Sequence, residues 1–71
     1  MPALRWFDAD EIGYQLHEAF PDIDPLSVSF PDLQRRVMAL PGFADPPEGS
    51  NEGRLEAIQM AWLGYFQDAH G

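Results

Sequence analysis

Apolar residues recur along this chain in three separate helical stripes. In the first, Ile12, Leu16, Ala19 and Phe20 follow the i, i+4, i+7, i+8 spacing of a buried helix face. Asp8 is a suitable N-cap with Glu11 three residues on, a pattern resembling a capping box. Pro21 stops this helix, because a residue before proline avoids the helical region. The second stripe is Leu33, Val37 and Leu40, in a helix that starts near Pro31 or Asp32 and ends at Pro41-Gly42. The third is Leu55, Ile58, Trp62, Tyr65 and Phe66, capped by Ser50 or Asn51. Gly53 weakens its first turn, and Gly64 is a second soft spot where the helix is expected to end or fray.

The connections carry their own signals. Pro21-Asp22-Ile23-Asp24-Pro25 reads as a rigid acidic turn, with Asp24-Pro25 opening one short helical turn. Asp22 and Asp24 suit Asx-type bonding to the backbone. Val28 and Phe30 alternate with Ser27 and Ser29, predicting a brief extended stretch. Residues 41–50 are rich in proline and glycine and form a loop, pinned to the core by Phe43. No internal repeat, domain boundary or low-complexity tract interrupts the chain. The whole of 1–71 therefore reads as a single domain with a core of about 4–63 and a tail of 64–71. The expected fold is mainly α: a small winged-helix or helix-turn-helix-like bundle of three main helices.

Size makes the apolar supply important. A domain of 71 residues buries only about 60% of its unfolded surface. There is no cysteine, hence no disulfide and no thiolate for zinc or an iron–sulfur cluster. Packing must hold the fold, and Trp6, Phe7, Phe20, Phe30, Phe43, Trp62, Tyr65 and Phe66 are available for it.

Charge narrows the function. Twelve acids face four basic residues, for a net charge of −8. All four basic residues are arginines. Residues 1–33 hold seven of the acids against Arg5 alone, a net −6, so the negative pole lies on the first helix and the turn after it. Such a surface is repelled by nucleic acid and by anionic membranes. It suits a basic protein surface or a cation, although excess acid also serves solubility. The start of the chain has neither the basic nor the apolar segment of a secretory signal, and a cytoplasmic location is expected.

On the first helix, Asp8, Glu11, Gln15 and Glu18 line one face, with Asp10, Tyr14 and His17 on the neighbouring one. Exposed carboxylates of this kind hold hard divalent cations, ferrous iron included, weakly and unselectively. His17 is given no ligand role. Asp45 and Glu48 are loop acids without an evident partner. No serine–histidine–acid pattern, glycine-rich phosphate loop or His/Cys metal spacing is present, and a domain this small has little room for a dry pocket. A non-catalytic role is expected. The alternative from another class is a winged helix that binds nucleic acid through Arg35 and Arg36, against a charge balance that opposes it.

Three segments carry a resemblance: Trp6-Phe7-Asp8 with Glu11-Ile12; Pro21-Asp22-Ile23-Asp24-Pro25; and Ser50-Asn51-Glu52 with Leu55-Glu56-Ala57-Ile58 and Ala61-Trp62-Leu63. In this order and spacing they resemble the IscX (YfhJ) family, small acidic proteins of bacterial iron–sulfur cluster assembly. The resemblance runs from about Leu4 to Leu63. It implies a modified winged-helix fold and a non-catalytic regulator or iron adaptor, overlapping in role with the bacterial frataxin homologue. It also implies docking on a cysteine desulfurase through the acidic surface, here Asp8, Asp10, Glu11, Glu18, Asp22 and Asp24. No cofactor is expected to bind tightly. Ferrous iron is expected weakly at Asp8, Glu11, Glu18, Asp22 and Asp24, and the chain is expected to be a monomer. The chain departs from the family pattern in places. Phe43 is followed by Ala44-Asp45-Pro46-Pro47 where relatives carry a run of acids. Asp32-Leu33 is followed by Gln34-Arg35-Arg36, Gly53 stands where a lysine is usual, and residues 64–71 extend past the usual end.

Overall fold

The computed structural model describes residues 3–70. Three helices form the fold: α1 (Ala9–Ala19), α2 (Phe30–Met38) and α3 (Glu52–His70). Single 3-10 turns, Pro25–Ser27 and Pro47–Gly49, sit in the two connections. Among the described residues no strand forms. The one extended pairing is an isolated parallel bridge between Leu4 and Phe43. The mainly helical expectation is met, whereas a wing of paired strands is not present in these residues.

The core is Leu4, Trp6, Ile12, Leu16, Val28, Leu33, Val37, Leu40, Leu55, Ile58 and Trp62. All three sequence stripes contribute to it. α1 packs chiefly against α3. Gly13 makes their close approach possible: a Cβ there would lie 2.7 Å from the Trp62 backbone nitrogen and 2.8 Å from the Ala61 Cβ. Ala19, placed on the buried stripe by its spacing, is exposed. The larger Phe20 and Ile23 pack on the core at that end instead.

The N-terminal stretch is pinned by Trp6, which is fully buried. Its backbone N–H donates to Asp45 Oδ2 at 3.0 Å, and its Nε1 donates to the Pro46 carbonyl at 2.7 Å. Phe43 meets the indole edge-on, with centroids 4.7 Å apart. Gly49 lies so close over the ring that a Cβ would sit 2.8 Å from Trp6 Cδ1. Gly42 has φ +84°, the left-handed conformation glycine favours, and its carbonyl accepts the Leu4 N–H at 2.9 Å.

Several local expectations need correction. Asp8 precedes α1 but makes no side-chain cap; its carboxylate turns back to accept the Arg5 N–H at 3.0 Å. The reason is a local turn in which Asp8 N–H also donates to the Arg5 carbonyl at 2.9 Å. α2 starts at Phe30, earlier than expected, because Ser29 is its N-cap and accepts from Asp32 N–H at 3.4 Å. Asn51 caps α3, accepting the Arg54 N–H at 2.8 Å. Ser50 is engaged elsewhere, accepting from Gln34 Nε2 at 2.8 Å. The Asp24 turn forms as expected, its side chain accepting the Leu26 N–H at 2.9 Å.

α3 does not end at Gly64 but continues to His70. Beyond the glycine, Tyr65 and Phe66 are half-buried, and Tyr65 meets Tyr14 of α1 edge-on at 5.5 Å. His70 stacks on Phe66 at 4.1 Å, and its Nε2 lies 2.9 Å from the Pro21 carbonyl. These contacts offset the helix cost of a glycine, which is about 1 kcal/mol relative to alanine.

The two helical glycines therefore differ in sign. Gly13→Ala forces α1 from the rigid backbone of α3 and should lower stability by about 1–3 kcal/mol. Gly64→Ala, where a Cβ meets nothing within 4 Å, should raise it by up to about 1 kcal/mol. Urea unfolding of both variants checks this; two shifts of the same sign would contradict the packing described.

Candidate partner-binding surface

The packing of α1 decides which acids are free. Ile12, Gly13 and Leu16 are buried, so Asp10, Glu11 and Glu18 are left facing solvent. Asp22 and Asp24, in the turn after α1, are also exposed. Asp8 is half-buried beside its bond to Arg5. All six sequence-predicted residues thus reach the surface.

They are not gathered at one point. Asp8 and Glu11 line a groove of about 310 Å³ together with Leu4, Gln15, Pro41 and Gly42. Glu18 accepts from the Tyr14 hydroxyl at 2.7 Å. Asp10 accepts from the Tyr65 hydroxyl at 3.2 Å, which ties it to α3. Asp24 is committed to its own turn. Among the described residues no group of three or more His, Cys, Asp and Glu side chains stands ready to hold a metal ion. What these acids offer a cation is charge without a fixed coordination sphere. His17, the imidazole of α1, is half-buried, and its Nδ1 is enclosed without a hydrogen-bond partner.

The arginines are mostly occupied. Arg5 pairs with Asp45 at 3.1 Å. Arg35 and Arg36 both pair with Asp32, at 3.2 and 3.0 Å. These two hydrogen bonds, Arg36's the larger in effect, hold the Asp32 carboxyl below its usual titration range. Arg36 also lies over the Phe20 ring, 4.7 Å from its centroid. None of the six acids of the pole forms an ion pair with an arginine side chain among the described residues.

Two features were missed in the sequence. Asp45 does have a partner, since it holds both the Arg5 side chain and the Trp6 N–H. Its partners lie about 40 residues away, and no local pattern marks them. Phe7, counted above among the core aromatics, is 68% exposed. Here a signal existed: consecutive Trp6 and Phe7 outside a helix cannot both turn inward, and Trp6 takes the buried place.

Together these define a small, acidic, helical domain with an open carboxylate surface. The chain belongs to the family described as iron–sulphur cluster assembly, which it matches over residues 4–67. This is the family named by the resemblance. The chain is also 51% identical over 61 residues to the uncharacterized protein PA3808 of Pseudomonas aeruginosa, covering 86% of this chain and 92% of that one. No helix among the described residues is long and apolar enough to cross a membrane.

The phenols report on the carboxylates around them. Tyr14 is raised above 10.0, first by its hydrogen bond to Glu18 and then by the Glu18 charge. Tyr65 is raised first by partial burial and then by its bond to Asp10. A raised phenol stabilises the fold below its unfolded value, and that contribution is lost as pH rises through the folded value. The contribution of Tyr14 should therefore hold at neutral pH and vanish only above about pH 10. Glu18→Gln should bring Tyr14 back down toward 10.0 and leave Tyr65 high; an ultraviolet titration reads both. An unchanged Tyr14 would show that the Glu18 bond does not form in solution.

Proposed function

We propose that this chain is a non-catalytic adaptor or regulator within iron–sulfur cluster assembly, which docks its acidic pole on a basic patch of a cysteine desulfurase. Family membership supports the assembly role. One observation carries the docking: the carboxylates of Asp8, Asp10, Glu11, Glu18, Asp22 and Asp24 form no ion pair with an arginine side chain among the described residues, while the side chains of Arg5, Arg35 and Arg36 are paired elsewhere. A surface left negative in this way attracts a basic partner and steers its approach. The same pairing of Arg35 and Arg36 with Asp32 gives no support to a nucleic-acid-binding reading.

Calorimetry with the desulfurase across a salt series tests the dock. Affinity should fall as salt rises, since exposed charges are screened beyond roughly 10 Å at 0.1 M. Glu11→Lys and Asp22→Lys should each weaken binding by roughly tenfold, the equivalent of about 1.4 kcal/mol. Glu56→Lys, exposed on α3 and not one of the pole residues, should change it little. An affinity indifferent to salt, or equal losses at all three positions, would overturn the electrostatic dock.

Ferrous iron, as cargo or signal, contacts the same carboxylates weakly and shares them with manganese and other divalent ions. Open carboxylates without thiols or paired histidines supply charge but little geometry. In an NMR titration, manganese should broaden residues 8–24 first, and added salt should reverse the effect. Broadening centred on Asp68 and His70, or tight and selective iron binding, would place the site elsewhere.

A further inference from the structure

Gly64 stands inside α3, where a glycine weakens the helix. No backbone or packing demand among the described residues accounts for it. Its φ is not positive, and a Cβ built on it meets no atom within 4 Å. Gly13 differs, because the α3 backbone occupies the place of its Cβ. The space kept clear at Gly64 lies outside the fold, in an open groove of about 470 Å³. This groove is larger than the one lined by Asp8 and Glu11.

Asp10 of α1 lines it, together with α3 residues that include Met60, Ala61, Gly64, Tyr65 and Asp68. Met60, Gly64 and Asp68 recur at i, i+4 and i+8 and so share one side of the helix. At roughly 1.5 Å per residue, about 12 Å of helix runs from Met60 to Asp68, with Gly64 as the gap in the middle. Met60 is 55% exposed, and Gly64 and Asp68 also face solvent. Asp10 is fixed from the neighbouring helix, because the Tyr65 hydroxyl donates to it at 3.2 Å. Neither Asp10 nor Asp68 forms an ion pair with an arginine side chain among the described residues.

These features select the occupant. A thioether and two small residues beside two carboxylates suit a long basic side chain, which lays its apolar stem on the surface and keeps its charged head with the acids. A second copy of this chain is a poor match, since it brings a net charge of −8 to a groove that already holds two acids. The groove is continuous with the acidic pole, because Asp10 belongs to both.

Resting on the docking proposed above, we propose that the groove over Gly64 is part of that interface and receives a lysine or arginine side chain of the basic partner surface. The stem lies over Gly64 and Ala61 against Met60, and the cationic head meets Asp10 and Asp68.

Binding to the cysteine desulfurase is measured by calorimetry across a salt series for the wild type, Gly64→Ala, Gly64→Gln, Asp68→Asn and the double variant of the last two. Thermal unfolding is recorded for each. Gly64→Ala should melt above the wild type and yet bind roughly twofold to fivefold more weakly. Gly64→Gln adds no charge and favours the helix, so it should stay folded and bind about tenfold more weakly. Asp68→Asn should weaken binding severalfold and reduce its salt dependence. The double variant should bind no more weakly than Gly64→Gln, because both changes remove the contact of one side chain.

If Gly64→Gln binds like the wild type while wild-type binding falls with salt, the groove is wrong and the adaptor reading stands. If the wild type does not bind the desulfurase at all, the adaptor reading falls and the groove with it. Losses that add in the double variant would overturn a single basic side chain as the occupant. A wild-type dimer, detected by sedimentation and abolished by Gly64→Gln with desulfurase binding unchanged, would assign the groove to a second copy and overturn the proposal.

Discussion

The close approach of α1 and α3 at Gly13 governs the rest of the molecule. With no Cβ between them, the α1 backbone lies directly on the backbone of Trp62 and on Ala61. That contact turns Ile12 and Leu16 inward, and both are fully buried. The opposite side of α1 is then committed to solvent with its carboxylates. It also brings Asp10 and Tyr14 within reach of Tyr65 on α3. In a small domain without disulfides, this one fit both supplies core and fixes the orientation of the acidic face.

A second constraint fixes the edge of that face. Asp45 and Pro46 lie in the loop after α2, yet they hold the backbone and the indole of Trp6. Here the one acid before the two prolines is spent on Arg5 and Trp6 and so adds little free charge. The loop works as a clamp on the N-terminal stretch. The clamp sets where Asp8 enters the groove that it lines with Glu11.

Much of this architecture was legible in the sequence. The stripes Ile12–Leu16, Leu33–Val37 and Leu55–Ile58–Trp62 are core, and Asp24 makes the backbone bond its type favours. Local patterns report local forces well. The failures lie where a distant partner decides. Gly64 looks like a helix end until Tyr65, Phe66 and His70 find contacts on α1 and at Pro21. Asp8 looks like a cap until Arg5 takes its carboxylate. The six candidate acids were legible as a group, because exposure of charge is nearly automatic. Their separation into a groove pair, two tyrosine-bound acids and turn residues required coordinates.

The distribution of these acids itself argues about their purpose. Asp10 and Glu11 stand in the first turn of α1, where the helix dipole favours negative charge. They stabilise the helix whatever else they do. Glu18 stands near the other end, where the dipole disfavours it, and Asp22 lies just beyond. Tyr14 compensates Glu18 with a hydrogen bond, at the cost of holding its own proton more tightly. Asp24 is needed by its turn, but Asp22 and Glu18 are not required by the helix. Solubility alone would be served equally by acids placed anywhere on the surface. Their continuation from the favoured end of α1 past the disfavoured one keeps that whole side of the molecule negative at some cost to the helix. On the proposed dock, that cost would be recovered when a positive surface meets these acids, because association would relieve the repulsion among the same carboxylates.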